Sequence, residues 1–109
     1  MDIGRQPTEF ERRVFAATCQ IPRGYVSTYG ILAAELDCAS AQAVGQALKR
    51  NPFAPRVPCH RVISSDLRVG GFAGQRDGAK IRKKLRLLRE EGVVFEGGRL
   101  SDARRLWQF

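Results

Sequence analysis

The stretch RVPCHRV, Arg56 to Val62, places Cys59 directly before His60, the single histidine of the chain. Three kinds of chemistry suit this pair. A thiol attacks as thiolate, and a nearby imidazole can take its proton directly or through a water. The same two side chains can ligate a metal. Alternatively, the thiol is a small buried group beside a loop histidine. Neighbours in a loop can point apart, so adjacency alone leaves the reactive and the buried readings open. The metal reading is weak, because Cys19 and Cys38 lie far away and no CxxC or His pair offers zinc-ligand spacing. The odd, widely spaced cysteines also argue against a disulfide framework. Cys19 falls in an apolar helical pattern and reads as a core residue, and Cys38 falls at a turn between helices. Pro52, Pro55 and Pro58 precede the thiol. They exclude regular helix or central strand and predict a stiff, ordered loop that delivers Cys59 to a defined place.

The elements that must position this loop read as helices first, then short strands, then a basic helix. Thr8 to Glu11, TEFE, has the form of a capping box. Phe10, Val14 and Ala17 follow at helical spacing, predicting a helix over 9–19 that Ile21–Gly24, IPRG, breaks. A second helix begins after Ser27 or Thr28, with Leu32, Ala33 and Leu36 inward. A third begins after Ser40, with Val44, Ala47 and Leu48 inward. Two short helices joined by a few residues suggest helix-turn-helix geometry or an ordinary helical hairpin. The outer face of the third helix carries Ala41, Ala43 and Gly45, which lets a partner approach the backbone closely. RVISSDLRVGGF, from Arg61, predicts a hairpin turning at Ser64–Asp66. Gly70, Gly71 and Gly74 follow at a spacing that fits neither a P-loop nor a dinucleotide fingerprint. The last long helix is expected over 76–91, with Ile81, Leu85 and Leu88 buried and Gly92 ending it. VVFEGGRL then predicts a small hairpin through Gly97 and Gly98.

The chain has 109 residues, 43% of them hydrophobic, and a net charge of +8. That length predicts one domain spanning 1–109 with one core. The charge predicts attraction to polyanions, nucleic acid above all. No apolar run nears the ~20 residues that span a bilayer. The polar start MDIGRQPTEFERR lacks the apolar segment of a secretory signal, so an intracellular protein that does not bind membranes is expected.

The motif PCHRV, taken with GYVSTYGILA, AVGQALKRNP, VGGFAG and KLRLLREEGV in that order, resembles the O6-alkylguanine-DNA alkyltransferases. The resemblance runs from Phe10 to Val94 and matches that family's C-terminal DNA-binding and active-site domain. It implies a mainly α fold with short β elements, a winged helix-turn-helix-like domain. It implies repair of duplex DNA by one irreversible transfer of an alkyl group from guanine O6 to Cys59, after minor-groove binding and base flipping. His60 matches the water-linked base, Glu91 the carboxylate that orients it, and Asn51 the residue that fixes the active-site turn. Tyr29 matches the tyrosine that crowds the target nucleotide and assists proton transfer. Val57, Pro58, Phe72 and Ala73 would bound the base pocket. Ser40, Ala41, Gln42, Ala43, Gly45, Lys49 and Arg50 would face DNA, with Lys49 and Arg50 on phosphates. No metal or organic cofactor is implied, and a monomer is expected. The implied location is the bacterial cytoplasm with its nucleoid, or the eukaryotic nucleus.

Two positions depart from the family pattern. Gln42 stands where the family usually has an arginine finger, and Ala73 where it often has a serine that donates to guanine O6. The related alkyltransferase-like proteins share the small single-domain form and a Trp-containing tail like RRLWQF. They flip O6-alkylguanine without accepting the alkyl group and recruit other repair proteins, and they lack the acceptor cysteine. Cys59 favours transfer over sensing. A helix-turn-helix regulator without chemistry would explain the charge and the helix pair, but not the set Asn51, Cys59, His60 and Glu91.

Overall fold

The computed structural model describes residues 6–37, 40–53, 56–70 and 78–109. Helix α1 (Glu9–Cys19) starts with the predicted capping box. The Thr8 hydroxyl accepts from the Glu11 N–H at 3.0 Å, and the Glu11 carboxylate accepts from the Thr8 N–H at 2.9 Å. Strand β1 (Ser27–Thr28) leads directly into α2 (Tyr29–Glu35), where Thr28 is the cap and accepts from Ile31 N–H. Ser40 caps α3 (Ala41–Lys49) in the same way, accepting from Ala43 N–H. These are short helices, and packing rather than propensity holds them. Val14, Phe15 and Ala17 of α1, Leu32 and Ala33 of α2, and Val44, Ala47 and Leu48 of α3 form one buried cluster, which Val57 and Val62 close.

A second cluster lies under the C-terminal part. Val26, Ile63, Leu88, Val93 and Leu100 form it. Strand β2 (Val62–Ile63) runs parallel to β1, pairing Ser27 with Val62 and Thr28 with Ile63. Successive strand residues point to opposite faces. Val62 accordingly enters the helical cluster and Ile63 the second one, and both are fully buried. The expected hairpin over RVISSDLRVGGF is therefore only half right. The chain does turn, with Ser64 N–H donating to Arg68 O and Leu67 N–H to Ser64 O. Its two limbs, however, take different partners: β2 pairs with β1, and Arg68 bridges to Arg99. A strand buried on both faces between two cores has no solvent side to alternate toward.

Helix α4 (Ala79–Glu90) begins later than the expected 76–91, behind Gly78, and residues 76–77 lie outside those described. Its inward stripe is Ile81, Lys84 and Leu88, with Leu85 only half-buried. The predicted hairpin forms as β3 (Phe95–Glu96) and β4 (Arg99–Leu100), antiparallel and joined through Gly97 and Gly98. The architecture is thus mainly helical with short strands, a helix-turn-helix-like pair followed by a β wing. Among the described residues, no helix is long and apolar enough to cross a membrane.

Cys19 is exposed rather than part of the core. It is the last residue of α1, and its Sγ lies 4.0 Å from the Arg56 carbonyl, outside the apolar cluster. Cys38 lies outside the described residues.

The α1 cap makes a stability test. Thr8→Ala removes one half of a reciprocal pair whose other half, Glu11, is 2% exposed. The urea midpoint should fall by the equivalent of about 1 kcal/mol with an unchanged slope. A midpoint unmoved by the substitution would show that solvent serves these groups equally well.

Candidate active site

Asn51 follows α3 directly and closes the proline-rich loop from within. Its Nδ2 donates to Val57 O at 3.0 Å, and its Oδ1 accepts from Phe53 N–H at 2.9 Å. Val57 and Pro58 are buried against the helical cluster. The chain then makes a single 3-10 turn, Cys59–Arg61, in which Cys59 N–H donates to Val57 O and Arg61 N–H to Pro58 O. Cys59 is half-buried against the helices, and His60 is 5% exposed. Asn51 thus braces the turn that carries the thiol, while Pro55 of the expected stiff loop lies outside the described residues.

Glu91 reaches this turn from the far end of α4. It is the C-terminal cap of the helix, and the chain leaves it in a Schellman arrangement. Gly92 N–H donates to Arg89 O and Val93 N–H to Leu88 O. Gly92 has φ +87°, a backbone state that L side chains rarely adopt. This cap fixes the direction in which the Glu91 side chain leaves the helix.

The carboxylate accepts from three groups. His60 Nε2 lies 2.9 Å from Oε2, Arg61 Nε donates to Oε1 at 2.9 Å, and a second Arg61 nitrogen donates to Oε2 at 3.1 Å. Arg61 also donates to Ile21 O, and Arg23 stands 3.8 Å from Oε2. Burial opposes ionisation of Glu91, but the hydrogen bonds and charges of Arg61 and His60 outweigh it and hold the carboxyl below its ordinary range. An ionised carboxylate only accepts, so His60 Nε2 carries the hydrogen and Nδ1 keeps its lone pair. Burial also lowers His60, outweighing the opposing hydrogen bond and charge of Glu91. The imidazole is therefore neutral near pH 7, with a free lone pair on Nδ1 that can accept a proton.

Tyr29 opens α2 and is half-buried. Its ring lies against α3, where a Cβ on Gly45 would meet ring carbons at 4.0 Å, and it also approaches Gly70. Gly45 thus serves a contact inside the molecule, with the tyrosine, besides any outside. Gln42, Lys49 and Arg50 are exposed on α3, and Ala41 and Ala43 are half-exposed. The Ser40 hydroxyl is engaged as the helix cap. Arg50 lies 3.5 Å from buried Glu11, although its side chain is 58% exposed. Phe72 and Ala73 lie outside the described residues.

The structure therefore unites Asn51, Cys59, His60 and Glu91 and places Tyr29 and α3 on the adjoining helix pair. Sequence reasoning missed two members. Arg61 stood in the motif itself. Lys84 stood on the apolar stripe of α4, where a charge among Ile81 and Leu88 was the signal. Among the described residues, no group of three His, Cys, Asp or Glu side chains could hold a metal ion.

A model of the 6-O-methylguanine DNA methyltransferase DNA-binding domain matches residues 9–93. The chain belongs to this family. A methylated-DNA–protein-cysteine methyltransferase of Methanothermobacter thermautotrophicus is 48% identical over 90 residues, which is 83% of this chain and 48% of the relative. The chain spans about half the length of such curated relatives. Two solved structures are among those to which the chain is similar. Mycobacterium tuberculosis OGT in complex with DNA has a TM-score of 0.71 at 38% identity, covering 79% of this chain and 51% of that one. S. pombe Atl1, in complex with damaged DNA containing O6-carboxymethylguanine, has a TM-score of 0.81 at 32% identity, covering 96% of this chain and 100% of that one.

The lowered His60 and Glu91 predict a fold that loses stability as pH falls. His60 is depressed below the ordinary value of 6.5, so as pH falls through that value the unfolded chain takes up the proton first. The stability it contributes is present above 6.5 and lost toward the lower folded value. Glu91 is also depressed, so its contribution is full above the unfolded value of 4.5 and lost as pH falls through the folded one. Urea unfolding between pH 7.5 and about 5 should therefore show a steeper loss for the natural protein than for His60→Gln. The reverse order would mean that the folded site favours imidazolium.

Proposed function

We propose that the protein repairs duplex DNA by accepting an alkyl group from guanine O6 onto Cys59 Sγ. The observation that carries this reading is that Cys59, on its Asn51-braced turn, directly precedes His60, whose Nε2 lies 2.9 Å from the buried Glu91 carboxylate. An O6 substituent inside a stacked duplex is out of reach of a thiol in a protein pocket, so the base must leave the stack. In this reading α3 enters the minor groove, with Lys49 and Arg50 on phosphates, and affinity falls with salt. Gln42 fills the space of the extruded base, and Tyr29 crowds its phosphate. Val57 and Pro58 bound the base pocket, together with Phe72 and Ala73.

The chemistry then balances within the chain's own groups. The thiol proton passes through a water to His60 Nδ1, and Glu91 stabilises the imidazolium that forms. The thiolate displaces guanine from the alkyl carbon: the S–C bond forms as the C–O6 bond breaks. Tyr29 helps return a proton to the leaving base. The product is a thioether, which no group of the site reopens, so each molecule acts once. In this reading the protein acts as a monomer inside the cell, with damaged duplex DNA as its partner.

A second reading has its own support. The full-length likeness to Atl1 favours a damage sensor that binds and flips O6-alkylguanine and recruits a further repair protein. The presence of Cys59, with its relay, favours transfer.

Incubation with a duplex bearing O6-methylguanine separates the two. Intact mass should rise by one CH2 group, mapped to Cys59, and Cys59→Ala should bind the duplex without gaining mass. Tight binding by the natural protein with no mass change would establish the sensor instead. Gln42→Arg should tighten binding to the damaged duplex by on the order of 1 kcal/mol, through an added charge-assisted contact. Equal affinity would remove Gln42 from the account of base extrusion.

A further inference from the structure

Residues 105–107 lie beyond the family match, which ends at residue 93, and none of the roles above uses them. They run along β1 on the side away from β2. Leu106 bridges to Val26 in parallel, Val26 N–H donates to Arg105 O at 2.8 Å, and Trp107 N–H donates to Val26 O at 2.6 Å. The Ser27 hydroxyl donates to Trp107 O at 3.1 Å. Leu106 packs on the second cluster and Trp107 on the helical one, the same alternation that Ile63 and Val62 show on the other side of β1.

Arg105 ties this segment to the site. Its guanidinium lies across two glycines that belong to different turns. One nitrogen donates to Gly24 O at 3.0 Å, in the turn that leads into β1. A Cβ on Gly24 would meet that nitrogen at 3.1 Å and the Glu91 carbonyl oxygen at 3.3 Å. A Cβ on Gly92 would meet the two terminal nitrogens of Arg105 at 3.4 and 3.6 Å. Gly92 is the residue whose positive φ ends α4 behind Glu91. The C-terminal end of a helix is its negative pole, which a cation favours. Arg23 acts at the same end, donating to Glu90 O at 3.0 Å. The turn before β1, the cap that aims Glu91 and the segment 105–107 thus meet at one half-buried arginine.

We propose that Arg105 is a positioning residue: it locks the Glu91 cap to the strand from which Tyr29 emerges, so that the carboxylate and the tyrosine keep one relative placement. The inference rests on the roles given to Glu91 and Tyr29 in the function proposed above. Both glycines belong to the device, since a side chain at either would crowd the guanidinium. Residues 105–107, although outside the family match, complete the site in this account.

Native-state hydrogen exchange tests the coupling. The Val26 and Trp107 amides report on the segment along β1, and the Gly92 and Val93 amides on the cap of α4. In the natural protein at low urea, these four should share one opening free energy, below that of amides inside α1. Cap amides that open separately from the strand amides overturn the proposal, and this measurement needs no variant.

Arg105→Met gives the second measurement. All four amides should exchange on the order of tenfold faster, and so should the His60 Nε2–H that faces Glu91. The Ala43 amide, held locally by the Ser40 cap, should keep its rate. Acceleration confined to Val26 and Trp107 would leave Arg105 a strand anchor only. An unchanged His60 Nε2–H would mean that the effect stops short of the site, and an equal acceleration at Ala43 would make Arg105 a general stabilising group. Each of these three results overturns the proposal. The readouts involve neither DNA nor alkyl transfer, and a damage sensor would give the same exchange pattern, so this assay and the DNA mass assay fail independently.

Discussion

The arrangement depends first on where one carboxylate points. Glu91 sits at the end of α4, and the glycine cap behind it leaves its side chain one direction to take. From there it fixes the tautomer of His60, holds Arg61 by two hydrogen bonds, and through Arg61 reaches the carbonyl of Ile21 beyond α1. A buried ion pair of this kind is not a strong source of net stability, since desolvation offsets the attraction. Removing one partner is different, because the remaining buried charge is then uncompensated, at a cost of about 3–5 kcal/mol. Glu91 is thus better understood as setting geometry than as adding stability. It orients an imidazole that burial keeps neutral.

The strand pair β1–β2 has the complementary task of keeping the two cores in register. Val62 and Ile63 belong to different cores, so a slip of one residue would send each to the wrong side. The thiol turn leads directly into β2, and Tyr29 directly follows β1. The parallel register of two residue pairs therefore sets the distance between the thiol turn and the tyrosine helix. Lys84 adds to this from below by holding the carbonyl of Val62.

Local signals were legible in the sequence, and long-range ones were not. The capping box of Thr8 and Glu11, the caps Thr28 and Ser40, and the Gly97–Gly98 hairpin follow from side-chain chemistry within a few residues. The partner of β2 did not, because Ser27 and Val62 are far apart in the chain and two buried residues carry no alternation. Cys19 was misread for a related reason: an apolar helical pattern identifies a face, and the last residue of a helix can leave it. The pairing of His60 with Glu91 was implied only by family resemblance, and the geometry supplies it independently. Lys84 escaped because a charged residue on an apolar stripe was passed over for its neighbour Leu85, although two carbonyls satisfy it where leucine would leave them bare.

The departures from the family pattern can be placed by the same reasoning. Gln42 lies exposed in the first turn of α3, whereas the thiol turn is braced from the other end of that helix through Asn51. No hydrogen bond joins Gln42 to the thiol relay among the described residues. A change at Gln42 therefore leaves the His60–Glu91 pair its geometry. The converse holds at Asn51, whose two hydrogen bonds shape the turn and touch nothing on the outer face of α3. Gln42 and the Asn51-braced thiol turn thus lie at opposite ends of one nine-residue helix, so that a substitution at one end need not disturb the other.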